Sequence, residues 1–437
     1  MSKVNQFLEE KVMPVAAKIA QQRHLNALRD GLILSMPLII IGSFFLILAN
    51  FPIQSYMDFL AERPQLKESL LYPYRGTFEL MTLIAVFGIG YRLAESYKVD
   101  PLAAGAVSLS AYFVGTPYVT YIIGKTPEGV DITETAYQTA MFTSKGLFVG
   151  MLIALLCTEI YRLIVQRNLV IKLPDGVPPA VARSFTALIP GFFAIIAIWV
   201  IRLLVENVGT FGSIHNVITV LLQKPLTSIG TSLAGTMIIF LLITLLWSTG
   251  LHGATIVGAV TGPIWLTLTA ENAKSFELGE PVQHIVTNEI NDIVFIGGSG
   301  TTLGLVLAML LFAKSQQMKQ LGRLSIGPGI FNINEPVLFG MPIVMNPLLI
   351  VPFIFTPLIS VLITYLAMDW GIVAKPIGIV PPWTMPPILQ GYLITGSISG
   401  AILQIVILVL SFLIYYPFFR LWDKQKAKEE AAGGEEQ

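Results

Sequence analysis

Glu335 lies between Asn334 and Pro336 in an apolar stretch, with no Lys or Arg within eleven residues on either side. A charge at the centre of a bilayer costs roughly 2.5–3.5 kcal/mol on insertion scales. A carboxylate there calls for a role, and accepting hydrogen bonds from the hydroxyls of a sugar is one. Pro336 suits the first turn of a short half-helix. The plainer reading is that Glu335 caps that helix or meets cytoplasmic water. His252 stands in Gly250-Leu251-His252-Gly253, where glycines permit close approach of a ligand, and Trp247 is near. Its plainer reading is a ring held by a backbone carbonyl.

Other side chains extend the set. Asn288, Asn291 and Asp292 sit beside an apolar run, and amides both donate and accept, as hydroxyls require. Asn288 is the preferred ligand of the three, and Gly297-Gly298-Ser299-Gly300 can offer backbone amides. Trp383, in a proline-rich segment, and Trp247 each present an indole face that can lie on the C–H face of a pyranose. Indoles also settle at membrane interfaces, and Trp265 is read that way, as structural. His24, His215 and His284 lack comparable surroundings. No Gly-Lys-[Ser/Thr] follows the glycine run, so there is no P-loop. Neither a metal-ligand cluster nor a nucleophile triad is evident, and no cofactor is expected. The single cysteine, Cys157, lies in an apolar run and reads as a small buried residue.

These residues require a membrane to hold them. Of 437 residues, 54% are hydrophobic and 12% charged, with zero formal net charge. The mean hydropathy is +0.72. Soluble domains carry roughly 25% charged residues. Nothing marks a basic face for nucleic acid. A spanning helix needs ~20 apolar residues, and ten runs qualify: near 30–50, 77–97, 101–123, 141–165, 183–206, 229–248, 251–270, 293–313, 343–367 and 391–417. The expected fold is all-α: a polytopic membrane protein of about ten spans. Val4, Phe7, Leu8, Val12, Val15 and Ile19 recur at helical spacing, which predicts an amphipathic surface helix ahead of the first span. Residues 211–226 offer a second. No signal peptide is expected.

With the N-terminus inside and the spans alternating, eighteen of the 27 Lys and Arg fall inside, eight outside, and Arg202 within a span. Positive charge favours the inner side, so both termini are expected in the cytoplasm. Ordinary apolar spans fill residues 1–210. In 211–423, Gly, Pro, Asn and ionisable residues interrupt the apolar runs. Irregular backbone in lipid survives only where it is buried or lines a cavity, and such interruptions point to a transporter's binding site. Two re-entrant hairpins are therefore predicted, near 280–300 and 328–342. The charged tail 424–437 is expected to be disordered.

With these residues in place, the chain resembles the membrane component IIC of the bacterial phosphoenolpyruvate-dependent sugar phosphotransferase system. The nearest branch is the lactose/cellobiose/diacetylchitobiose one. The resemblance rests on Phe7-Leu8-Glu9-Glu10-Lys11-Val12-Met13-Pro14, on Arg23 to Gly31, on Leu251-His252-Gly253, and above all on the specific signature Asn332-Ile333-Asn334-Glu335-Pro336-Val337-Leu338-Phe339-Gly340. It implies a homodimer in the bacterial cell membrane, joined through the N-terminal half. It also implies one sugar in the C-terminal half, contacted by His252 and Glu335 with Asn334 and the tryptophans around them. The sugar would move inward with the C-terminal half. It would be phosphorylated, usually on its 6-hydroxyl, by a phosphocysteine of component IIB charged from IIA. With Cys157 in a span, IIB and IIA are expected on other chains or domains, and this chain is expected not to be an enzyme by itself. β-Linked disaccharides are implied, N,N′-diacetylchitobiose first and cellobiose second. Two other readings stay open: an ion-coupled secondary transporter with Glu335 as its proton site, and a membrane sugar sensor that does not transport.

Overall fold

The structure is a computed structural model. It describes residues 21–434 except 52–53, 126–129, 175, 209–210 and 345, together with Glu10, Pro14 and Lys18. The expected N-terminal surface helix lies outside the described residues. The regular structure among them is helical apart from one two-stranded hairpin.

One compact unit comprises residues 22–45 and 68–228. Its elements are α1 (Arg23–Ile33), which leads into α2 (Met36–Ala49), and then, beyond α3 (Gln54–Ala61) and α4 (Pro64–Thr77), α5 (Met81–Ser96) and α6 (Pro101–Gly115). The hairpin β1 (Tyr118–Lys125) and β2 (Asp131–Tyr137) follows, then α7 (Ser144–Gln166), α8 (Pro179–Val208), α9 (Ile214–Ile218) and α10 (Lys224–Thr231). α5 is the central helix and packs on α1, α6 and α7. It buries Ala85, Val86, Ile89, Leu93 and Ala94. At its end, Glu159 of α7 accepts hydrogen bonds from His24 Nε2 (2.9 Å), the Tyr97 hydroxyl (2.5 Å) and Arg162. The Arg23 and Arg162 guanidinium groups flank the Tyr97 ring at 4.2 and 4.5 Å. His24 is thus part of an ionic cluster that ties α1 to α7.

The other unit holds 46–67 and 229–437. After α11 (Leu233–Ser248) and α12 (Gly253–Glu277) come α13 (Ile290–Val294), α14 (Leu303–Phe312), α15 (Gln316–Ile330) and α16 (Glu335–Gly340). α17 (Pro347–Asp369), α18 (Leu389–Thr395) and α19 (Ile398–Gly434) complete it. α14 packs between α15 and α19, and α17 packs on α11 and α19. Trp265 is buried in α12 against Phe240, with ring centroids 6.5 Å apart, in keeping with a structural residue.

Among the described residues, seven helices are long and apolar enough to cross a membrane. There are eight if the pair 214–231 and 233–248, bent by 77°, counts as one span. The protein is therefore a multi-pass membrane protein, with seven or eight spans by this measure where ten are expected from the sequence. The run 101–123 fails because α6 stops at Gly115, before Pro117, and the β-branched and aromatic residues beyond it pair as a hairpin. The run 293–313 fails because glycines break it into the short α13 and the ten-residue α14. The segment 211–226 is helical but divided, with a wider π-type turn over Thr219–Gln223.

α19 continues to Gly434, through residues whose composition reads as disordered. Lys426 pairs with Glu429 one turn on (2.7 Å). Asp423 accepts the backbone N–H groups of Lys314 and Ser315, and Glu430 accepts those of Gln316 and Gln317 and the Ser315 hydroxyl. Asp423 and, from the tail, Glu430 thus occupy the N-terminus of α15, where unpaired N–H groups and the helix dipole favour negative charge. Glu430→Gln should speed amide exchange at Gln316 and Gln317 and expose the tail to protease. Unchanged exchange at both positions counts against this docking.

Candidate functional site

Three segments of the second unit build one concave site. The first is the turn between α11 and α12. Gly250 turns the chain with φ +84°. Gly253 starts α12 where a Cβ atom would stand 2.0 Å from the Ile243 carbonyl oxygen. The glycines beside His252 therefore serve the helix crossing rather than the approach of a ligand. His252 becomes the N-cap of α12: its Nδ1 accepts from the Thr255 backbone N–H (3.2 Å) and faces the Thr255 hydroxyl at 2.7 Å. An amide nitrogen only donates, so Nδ1 is the acceptor and the proton of the neutral ring sits on Nε2. The Trp247 ring lies 4.4 Å from the His252 ring.

The second segment is the first re-entrant hairpin, which runs from the end of α12 through α13 to α14. Asn272 holds its approach: Nδ2 donates to the His284 and Pro376 carbonyls, and Oδ1 accepts from the Gln283 and His284 N–H groups. The His284 ring meets Glu271 at 2.8 Å, a structural pairing. Between α13 and α14, Gly297, Gly298 and Gly300 all take positive φ. The Tyr415 hydroxyl donates to the Gly300 carbonyl (2.8 Å), fixing this turn to α19.

The third is the second hairpin. α15 ends, the chain turns through Asn332 and Asn334, and Glu335 opens the six-residue α16 with Pro336 in its first turn, as expected of that proline. Asn334 Nδ2 donates to the Ser299 carbonyl (2.6 Å) and the Thr302 hydroxyl (3.2 Å), linking the two hairpins.

Together with the loop that carries Trp383, these segments line a cavity of ≈ 250 Å³. His252, Glu335, Asn334, Trp247 and Trp383, all expected from the sequence, line it. Trp247 is 6% exposed and forms a wall, whereas Trp383, 60% exposed, lies open at the site. Asn288 does not line it; its backbone N–H donates to Thr269 Oγ1 at 3.1 Å. Asn291, Asp292 and Phe295 line it instead. Asn291 and Asp292 lie in the short α13 and Phe295 is its C-cap, whereas Asn288 falls before that helix begins. Gly298 and Ser299 of the glycine run also reach the cavity, as does Asn332, which the sequence offered only as part of the signature motif.

The wall offers three aromatic faces, an Nε2–H donor on His252, carboxylates on Glu335 and Asp292, and the Asn291 amide. No Lys or Arg is among the lining residues. Trp247 Nε1 and Asn291 Oδ1 are buried and have no hydrogen-bond partner among the described residues. Buried polar atoms are nearly always paired, so these two are exceptions beside the cavity. The arrangement suits a neutral, polyhydroxylated ring compound.

The turn around Gly298 is tight. With φ +93°, a Cβ there would lie 2.5 Å from Asn334 Cγ. Gly298→Ala should cost about 1–3 kcal/mol from backbone strain and a further 1–3 from overpacking, and it should displace Asn334. The expected result is a lower Tm together with lost ligand binding. A variant with native Tm and native affinity speaks against this geometry.

The family model described as "Phosphotransferase system, EIIC" matches residues 29–357. The chain is 56% identical to the lichenan permease IIC component of Bacillus subtilis (strain 168), over 98% of this chain and 96% of that protein. It is 54% identical to the cellobiose-specific EIIC component of Geobacillus stearothermophilus, over 99% and 97%. The crystal structure of the transporter ChbC, the IIC component from the N,N′-diacetylchitobiose-specific phosphotransferase system, superimposes with a TM-score of 0.92 at 53% identity, covering 97% of this chain and 99% of that one. A family match over most of the chain, relatives that it covers nearly end to end and a shared fold lead to one conclusion: this chain belongs to the EIIC family of the phosphotransferase system.

Proposed function

We propose that this chain is the sugar permease of a phosphotransferase system, and that its cavity binds a β-linked disaccharide of the cellobiose or N,N′-diacetylchitobiose kind. The observation that carries the reading is the cavity itself. It combines indole faces for pyranose rings with hydroxyl donors and acceptors, and no cation lines it. Sugars meet proteins through such pairs of apolar faces and polar edges. The similarity to permeases named for lichenan, cellobiose and diacetylchitobiose supports the class of sugar.

In this reading His252 Nε2 donates to a sugar hydroxyl and Glu335 accepts from the one that will react, while Trp247 and Trp383 receive the rings. Glu335 orients that hydroxyl toward the phosphocysteine of a partner IIB, which is recharged by IIA. The chain donates no phosphoryl group of its own. All the lining residues belong to one compact unit, which supports a sugar carried with that unit, while residues 1–210 furnish the dimer contact. Both termini lie in the cytoplasm of a bacterial cell, in line with the Lys and Arg distribution.

The test is uptake of labelled N,N′-diacetylchitobiose and cellobiose by cells that carry this chain with or without IIB and IIA. Sugar phosphate should accumulate only when the partners are present. Unmodified sugar driven by a pH gradient points to ion coupling instead, and binding without uptake to a sensor.

A further inference from the structure

The segment Pro381-Pro382-Trp383-Thr384-Met385-Pro386-Pro387 carries the open indole of the cavity, and four of its seven residues lack an N–H. It cannot hold itself in place with a backbone ladder, so its carbonyls need donors from elsewhere. Asn332 supplies them. Its Nδ2 donates to the Trp383 carbonyl (2.9 Å) and to the Met385 carbonyl (3.0 Å). Its Oδ1 accepts the Gly297 N–H at 2.9 Å. Both amide protons are committed to carbonyls, so Asn332 has no donor left for a sugar although it borders the cavity.

The backbone explains why asparagine stands here. Residue 332 has φ +62°, the left-handed region that Asn adopts more readily than other side-chain-bearing residues. The side chain is buried, at 9% exposure. It therefore joins three segments that each bring a group to the site: the turn with Gly298 and Ser299, the hairpin with Glu335, and the loop with Trp383. The far end of that loop is pinned too. Gln404 Oε1 accepts the N–H groups of Ile388 (2.6 Å) and Gly391 (2.8 Å). Ile388 is held at φ +77°, a strained state that persists only where its surroundings over-determine it. Because the indole is mostly exposed, side-chain packing does little to fix it, and the backbone pegs must.

We propose that Asn332 is the positioning residue that fixes the Trp383 ring relative to the Glu335 carboxylate, so that a pyranose lying on the indole brings its hydroxyl to Glu335. This rests on the stacking role given to Trp383 above. Neither residue suffices alone, because a free indole still binds sugar but no longer in register with the carboxylate.

The experiment is a double-mutant cycle on disaccharide affinity, measured by calorimetry on the full-length protein in detergent, with Tm recorded for every variant. Asn332→Asp keeps the acceptor for Gly297 and tolerates the left-handed backbone, but sets an oxygen against two carbonyls. It should weaken binding ~10-fold. Trp383→Ala should weaken it by a similar factor, and adding Asn332→Asp to Trp383→Ala should cost almost nothing more. Should the aspartate variant not fold, Asn332→Gly retains the backbone state and loses all three hydrogen bonds, and the same non-additivity is expected. If Trp383→Ala leaves affinity unchanged, the stacking role fails and this inference with it. If Trp383→Ala weakens binding while the Asn332 variants add their full effect in its background, or have no effect in any, the stacking role stands and the positioning role is overturned.

Discussion

Glu335→Gln is expected to abolish phosphorylation of the bound sugar while leaving its affinity nearly intact. Gln retains one carbonyl acceptor and almost the same shape, so a hydroxyl can still dock. It lacks the basicity to draw a proton from that hydroxyl as the phosphoryl group arrives. General bases contribute about 10²–10⁴-fold, and the loss in phosphoryl transfer from IIB should fall in that range. The measurements are phosphate transfer from labelled IIB in membrane vesicles and sugar affinity by calorimetry on the same protein. Equal loss of both assigns Glu335 to binding alone. The position supports the expectation: Glu335 opens α16 at the cavity, and no Lys or Arg lines that cavity to compete for its carboxylate.

The same charge pattern sets the fate of the product. A disaccharide enters neutral and leaves as a phosphate dianion. With an effective dielectric of about 20, a unit charge about 5 Å from a carboxylate is opposed by ~3 kcal/mol. No lining cation offsets this. The 6-phosphorylated disaccharide should therefore bind at least ~10²-fold more weakly than the free sugar. Glu335→Gln should restore part of that difference. Competition of each compound against labelled sugar reads it directly, and comparable affinities for sugar and sugar phosphate contradict the expectation. If it holds, phosphorylation itself ejects the sugar from the site, and transport gains direction without a coupled ion.

How far the sequence leads differs from residue to residue. Glu335, Asn334 and His252 could be picked out because their chemistry is out of place among apolar neighbours, and the structure puts all three at one cavity. Trp247 and Trp383 join them there. Asn288 and Asn291 lie three apart with the same side chain, and nothing local separates them. The fold does: α13 starts at Ile290, so Asn291 stands in the helix that borders the cavity while Asn288 stays in the approach to it, its N–H bonded to Thr269. The tail shows the same limit. Its composition reads as disordered, yet Asp423 and Glu430 find the bare N–H groups at the start of α15, more than a hundred residues earlier. The run 293–313 misleads for the opposite reason. Hydropathy sees its apolar side chains but not the positive-φ glycines that fold it back on itself.

The sequence by itself determined that the chain lives in a bilayer and pointed to the second half, where the cavity lies, because both follow from the cost of placing polar groups in hydrocarbon, which acts residue by residue. It also determined the family, through a short motif of unusual composition. Only the tertiary structure decided which amide lines the cavity, where the apolar runs break, and that Asn332 ties two hairpins to the Trp383 loop. Those outcomes depend on hydrogen bonds between segments thirty to more than a hundred residues apart, where partners are chosen by packing and not by neighbours in sequence.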